Sequence, residues 1–367
     1  MRVALVHDWL TGLRGGERVL EQLCLLYPDA DIFTLVHVPG STGEIIERHR
    51  ITTSFLDRLP KRIYRRYLPL FPLAIESLDL SDYDLVISTS HSVAKGCKPA
   101  PGAVHVAYIH TPMRYVWDQF DAYFGPGRAG RATRLAARAV APMLRRWDVA
   151  STRRVHGLIA NSRFVAERIR RYWRREVDAV VHPPVDTSRF VPAAEGPAPE
   201  EYALIVSALV PYKRIELAIE AFSRLERPLW IVGDGPERQR LAKAAGRSIR
   251  FLGNVGQDEL PRLYARARFF VLPGEEDFGI AAVEAQAAGR PVLALGRGGA
   301  LETVVDGRTG AFFAQPTVES LLEGIAAIDR LQPDPIAIHE EARRFDVARF
   351  RPELERAIES CLARARG

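Results

Sequence analysis

The chain has 367 residues, 47% of them hydrophobic, with 51 Lys and Arg against 45 Asp and Glu for a formal net charge of +6. That length exceeds what one core usually serves, so two domains are expected, and the apolar content suffices for both. No apolar run of about 18 residues occurs, Cys24, Cys97 and Cys361 are widely spaced without nearby histidines, and no nucleic-acid module signature is present. These features argue against a membrane span, a disulfide framework, a zinc site and nucleic-acid binding.

Met1 and Arg2 lead into VALVHDWL, which reads as a buried strand rather than a signal peptide, so a cytoplasmic protein is expected. Residues 1–180 hold 27 Lys and Arg against 18 Asp and Glu, a net of +9, which leaves 24 against 27, or −3, for the remainder. The basic half concentrates its charge in Arg128 to Arg175 and in Lys61 to Phe71, KRIYRRYLPLF. Solvated helix faces account for such charge, and so does an anionic membrane surface, the better specific partner. A peripheral position on the inner face of a membrane follows from the second alternative.

In chain order, apolar β-branched segments alternate with helical patterns: VALVH, then GERVLEQLCLLY; DLVIST; VHVAYIH; GLIANS, then RFVAERIRRYW. After a stretch rich in proline and small residues, Val180 to Glu200, the series resumes with YALIVSAL, RIELAIEAFSRL, PLWIVGDG, SIRFLG, DELPRLYARA, FFVLP, GIAAVEAQAAG, PVLAL and SLLEGIAAI. Such alternation predicts two α/β domains with parallel, doubly wound sheets, facing each other across a ligand-binding cleft at their strand ends. The expected domains are residues 1–190 and 191–345, with a final helix over 346–367 free to cross back onto the first domain.

Four strand-to-helix junctions carry chemistry. GLRGGE, with Gly15 and Gly16, opens a helix, where glycines let main-chain amides approach an anion; a simple tight turn would use the same residues. It lacks the G-x-G-x-x-G spacing of dinucleotide-binding enzymes, which disfavours an oxidoreductase. His110, in YIHTPMRYVW, ends a predicted strand and suits a phosphate or sugar oxygen, or a structural hydrogen bond. Lys213 and Arg214, in SALVPYKR, suit a diphosphate, or are ordinary surface cations, and Gly233 begins the GDGP turn nearby in the pattern. Finally, EEDFGIAAVEAQAAG carries Glu276 and Glu284 around Phe278, Gly279 and Ile280. Eight helical steps of about 100° leave two side chains within roughly 80° of one another, so both carboxylates are expected in one cleft, where they would grip vicinal hydroxyls. Offsetting the helix dipole is the plainer role for Glu276.

With these junctions in register, the chain resembles retaining glycosyltransferases of family 4, which have the GT-B fold. The likeness is carried by GGE, HTPMRYVWD (His110 to Asp118), ANS (Ala160 to Ser162), VPYK, GDGP, DGRTG (Asp306 to Gly310) and above all Glu276-x7-Glu284. It implies Gly16 beside the donor diphosphate, His110 at the transferred sugar, Lys213 on the leaving phosphate, Glu276 and the amides of Phe278 to Ile280 on sugar hydroxyls, and Glu284 on the nucleotide ribose. It also implies no metal and no cofactor other than the nucleotide diphosphate sugar as substrate. The HTPMRYVWD and VPYKR wording is similar to GDP-mannose-dependent mannosyltransferases of surface-polysaccharide assembly, whose acceptors are saccharides or polyprenyl-diphosphate-linked saccharides. A UDP-hexose donor, a noncatalytic nucleotide-sugar-binding subunit and a hydrolysing epimerase are the alternatives. One departure stands out: Ala208 occupies the place of an arginine that many members carry, which leaves Arg214 as the available second cation.

Overall fold

The computed structural model describes residues 1–125, 130–192, 199–256 and 258–366. Arg128, at the start of the basic stretch, and 193–198 of the expected linker lie outside the described residues. The chain divides into two compact units, Met1–Pro184 with Phe350–Gly367, and Val185–Arg349.

Among the described residues the first unit holds seven strands: β1 (Val3–His7), β2 (Asp31–Thr34), β3 (Ile51–Thr53), β4 (Leu85–Ser90), β5 (Val104–Ile109), β6 (Gly157–Ala160) and β7 (Ala179–Val180). They form one sheet in the order β3-β2-β1-β4-β5-β6-β7, and every adjoining pair is parallel. β1, β4, β5 and β6 are buried along their whole length, the expected fate of continuous apolar runs in a sheet covered on both faces. The helix Gly15–Leu26 covers one face with Val19, Leu20, Leu23 and Cys24, neighbours at helical spacing. The same core takes Phe350, Leu354, Ile358 and Cys361 from the closing helix Val347–Arg366, which thereby belongs largely to this unit. Gly157 makes that seat possible, because a Cβ there would lie 2.4 Å from Cys361 Sγ.

The second unit contains β8 (Ala203–Val206), β9 (Leu229–Val232), β10 (Ile249–Gly253), β11 (Phe269–Leu272), β12 (Val292–Leu295) and β13 (Gly310–Phe313). Their order is β10-β9-β8-β11-β12-β13, again parallel throughout. One face is covered by the helices Ile215–Arg224 and Val318–Arg330, the other by Ile280–Ala287 and its neighbours.

The division between units falls at Pro184 and Val185, ahead of the boundary expected near residue 190. The cause is main-chain pairing: the Val185 N–H donates to Phe345 O at 3.0 Å and the Val347 N–H to Val185 O at 3.1 Å, which fastens the residues after Pro184 to the second unit. In both sheets the strand order reverses beside the first strand, between β1 and β4 and between β8 and β11. Open α/β sheets bind ligands outside the carboxyl ends of the strands at such points.

Candidate functional site

In the first unit three histidines gather at these strand ends. His7 closes β1, His91 follows β4 and His110 follows β5. The imidazole centroids of His7 and His91 are 5.9 Å apart, and those of His91 and His110 6.3 Å apart. The glycine turn lies against the same group: a Cβ on Gly16 would sit 3.5 Å from His7 Cε1 and 3.6 Å from His110 Nε2. Gly15 is the first residue of the helix that follows. The structure thus brings Gly16 and His110 together.

His110 Nε2 is buried without a hydrogen-bond partner among the described residues. Burial, with the charges of His91 and His7, pushes the His110 imidazole down to about 3, so it is neutral at physiological pH. A neutral ring with an unsatisfied nitrogen is suited to one hydrogen bond with a ligand oxygen, not to a standing ion pair.

Asp8 lies fully buried beneath the cluster. Its carboxylate accepts four main-chain N–H groups, from His91 (2.7 Å), Ser92 (2.9 Å), Val93 (2.6 Å) and Ala94 (2.7 Å), and stands 3.1 Å from His91 Nδ1. It therefore fixes the loop after β4 and with it His91. The HTPMRYVWD loop is fixed separately, by the buried Arg168 reaching Thr111 Oγ1 and, at 2.7 Å, Asp118 Oδ1.

In the second unit, Lys213 follows β8 and Glu276 follows β11, and their side chains form a direct ion pair. Both are largely withdrawn from solvent, at 18% and 10% side-chain exposure. Gly274 allows the approach, since a Cβ there would fall 2.8 Å from Lys213 Cα. On its other side the Glu276 segment is held by the loop after β12, where the Gly299 N–H donates to Glu276 O at 2.8 Å and a Cβ on Gly298 would meet that oxygen at 2.5 Å.

The helical phase expected to bring Glu276 and Glu284 to one face does not apply, because the helix begins only at Ile280. Gly279 caps it at φ +98°, a left-handed turn that redirects the chain between the two carboxylates. Glu284, on the helix, accepts a hydrogen bond from Tyr264 Oη at 2.8 Å. Phe278 buries its ring in the core against Phe345, 5.1 Å between centroids, so only its main chain is available to a ligand.

Gly233 is explained by close approach: at φ +116°, a Cβ there would lie 2.0 Å from Ser207 O. Arg214 also takes a left-handed backbone, φ 52°. Its Nε donates to Glu216 Oε1 at 2.9 Å and its Nη2 to Pro316 O at 3.4 Å. These contacts give the guanidinium local partners.

Sequence reasoning singled out His110 by its strand-end position but passed over His7 and His91, which occupy the equivalent positions after β1 and β4. The same rule applied to VALVHD and to STSH would have found both. It also passed over Gly298 and Gly299, a glycine pair after PVLAL.

Two parallel sheets with this strand order, each gathering polar groups at its switch point, define a chain of two Rossmann-like α/β units. The model of "Glycosyltransferase Family 4" matches residues 13–189 and that of "Glycosyl transferases group 1" residues 189–345, and the chain belongs to the family 4 glycosyltransferases. It is 36% identical over 185 residues to a D-inositol 3-phosphate glycosyltransferase of Streptomyces avermitilis, covering 42% of this chain and 40% of that one. It is 32% identical over 196 residues to a GDP-mannose-dependent alpha-(1-6)-phosphatidylinositol monomannoside mannosyltransferase of Mycobacterium tuberculosis, 46% of this chain and 51% of that one. Each match thus spans only about half of the relative's own length or less. Sucrose-phosphate synthase from Thermosynechococcus elongatus shares the GT-B fold over 99% of this chain and 100% of its own, at a TM-score of 0.73 and 19% identity.

Proposed function

We propose that the chain transfers a hexose from a nucleotide diphosphate sugar to a saccharide or lipid-linked saccharide, with retention and without a resident metal, and that the donor is GDP-mannose. The observation that carries this reading is the Lys213–Glu276 pair at the switch point of the second sheet. It holds in contact one group able to neutralise a leaving phosphate and one able to accept sugar hydroxyls. Family membership and the resemblance to a GDP-mannose-dependent relative support the reaction class and the donor.

In this reaction the C1–oxygen bond to the diphosphate breaks and a new C1–oxygen bond to the acceptor forms on the same face. The acceptor's proton passes to the departing phosphate oxygen. Lys213, the Gly15–Gly16 amides and the start of the helix Ile280–Ala287 offset the charge that builds on the phosphate. Neutral His110 donates to a sugar or phosphate oxygen, Glu276 orients the sugar, and Glu284 holds the ribose.

Among the described residues no helix is long and apolar enough to cross a membrane. We assign the basic surface of the first unit, including Arg145, Arg146 and Arg153, to peripheral contact with an anionic membrane that carries the acceptor. Replacing these three with glutamine should weaken binding to phosphatidylglycerol vesicles.

A thermal-shift panel of GDP- and UDP-sugars tests the donor, because a ligand at about 100 times its dissociation constant stabilises by roughly 2.7 kcal/mol. Flat melting curves throughout would refute the reading. A second reading, donor binding without turnover, draws on Ala208 and on the engagement of Arg214 with Glu216. Donor consumption by wild type but not by Lys213→Ala, with EDTA present, separates the two.

A further inference from the structure

We propose that His7 is the partner that offsets Glu17 and so allows the Gly15–Gly16 turn to receive an anion, a role that rests on the nucleotide diphosphate sugar reading above. The obstacle it removes is Glu17. This carboxylate occupies the first turn of the helix Gly15–Leu26 and accepts the Arg14 N–H at 3.0 Å through Oε2. It satisfies a main-chain donor, yet it also places negative charge where the helix terminus would otherwise attract a phosphate.

His7 answers that charge. Its Nε2 stands 3.8 Å from Glu17 Oε1, and no hydrogen-bond partner for this nitrogen exists among the described residues. Nδ1 is engaged by Thr89 Oγ1 at 2.6 Å, so the ring orientation is set and Nε2 faces the carboxylate. Burial tends to raise the Glu17 carboxyl, but the adjacent His7, helped by His91, outweighs it and holds Glu17 below the usual carboxylate range.

The pair is expensive for the fold. His7 is 0% and Glu17 4% exposed, and an apolar pair of similar size would avoid the desolvation. Its retention has a reason if the charges act on the turn above them. Gly16 rests directly on the pair, 3.5 Å from His7 Cε1 to an ideal Cβ. The other charged groups around the pair do not substitute for His7. Asp8 is acidic and saturated by four main-chain N–H groups, Arg18 is paired with Glu21, and His91 faces Asp8. His110 also approaches Gly16, with Nε2 3.6 Å from an ideal Cβ there, but is held neutral. His7, fully buried, acts as a positioning residue through Glu17.

A double-mutant cycle of His7→Asn, Glu17→Gln and the combined variant tests this by calorimetric titration of the full chain with GDP-mannose and with UDP-glucose, with melting curves to verify folding. Asparagine keeps a partner for Thr89, and glutamine keeps an acceptor for the Arg14 N–H. His7→Asn should raise the donor dissociation constant about tenfold, Glu17→Gln should leave it unchanged or lower it, and the combined variant should return to within about threefold of wild type. Rescue of donor affinity between variants that all melt at the wild-type temperature is what a purely structural pair would not give, because such a pair would show loss and rescue in the melting curves. Wild-type affinity in His7→Asn, or a combined variant at least as weak as the weaker single one, overturns the inference. Failure of the wild type itself to bind either donor refutes the proposed function and takes this inference with it.

Discussion

Lys213 and Glu276, 63 residues apart in the chain, meet as an ion pair at the switch point of the second sheet. Removing one partner strands the other in a largely buried position. Lys213→Ala should therefore cost about 2–3 kcal/mol, less than for a wholly buried pair, and should lower turnover by a hundredfold or more. Adding Glu276→Gln should recover most of the stability and none of the turnover. Urea denaturation and a donor-cleavage assay on the same preparations separate the two effects, and recovery of both together would reassign the pair to structure alone.

Glu284 is held by the Tyr264 hydroxyl at 2.8 Å. Burial, with the Glu284 charge, raises the Tyr264 phenol well above its ordinary value, so the hydroxyl remains a donor. If Glu284 takes the ribose, that contact is present in ground and transition states alike. Glu284→Gln should then raise KM for the donor about tenfold while kcat changes little. Tyr264→Phe, which frees the carboxylate to turn, should show a smaller effect of the same kind. A fall in kcat at constant KM would place Glu284 elsewhere in the reaction.

The parts of this molecule legible in the sequence are those that local pattern dictates. VALVH and FFVLP are continuous apolar runs and become central strands, and GERVLEQL has the spacing that buries Val19, Leu20 and Leu23. The edge strands β3 and β7 were not legible, because two or three half-buried residues carry no period. Lys213 and Glu276 could be singled out by type and place, but their contact depends on Gly274 admitting the Lys213 backbone. The helical relation drawn between Glu276 and Glu284 failed because a glycine that permits positive φ ended the local pattern at Gly279. The pairing of His7 with Glu17 needs the end of a strand beside the start of the next helix, a relation no periodicity reports.

Two histidines set a pH dependence. Burial first, and neighbouring charges second, bring both His105 and His110 down to about 3. In the unfolded chain they titrate near 6.5. Between about pH 6.5 and 3 the unfolded state therefore binds more protons than the folded one, so stability rises with pH across that window and is lost as the pH falls. Urea midpoints should decline from pH 7.5 to 4.5, and His110→Asn should flatten the decline. An unchanged slope in the variant would show that His110 is already protonated in the native state.

Gly157 and Cys361 tie the closing helix to the first sheet. A Cβ on Gly157 would lie 2.4 Å from Cys361 Sγ and 2.6 Å from its Cβ, so neither a rotamer change nor a small side-chain shift relieves the overlap. The helix must move, and it carries Phe350, Leu354 and Ile358 out of the core with it. Gly157→Ala should cost about 1–3 kcal/mol as an overpacked site, which chemical denaturation would measure. Limited proteolysis should then cut between Arg349 and Arg366, where the Arg364–Asp178 contact at 2.8 Å also loosens, before it reaches the second unit. A variant as stable and as protease-resistant as the wild type would mean that the sheet yields instead of the helix.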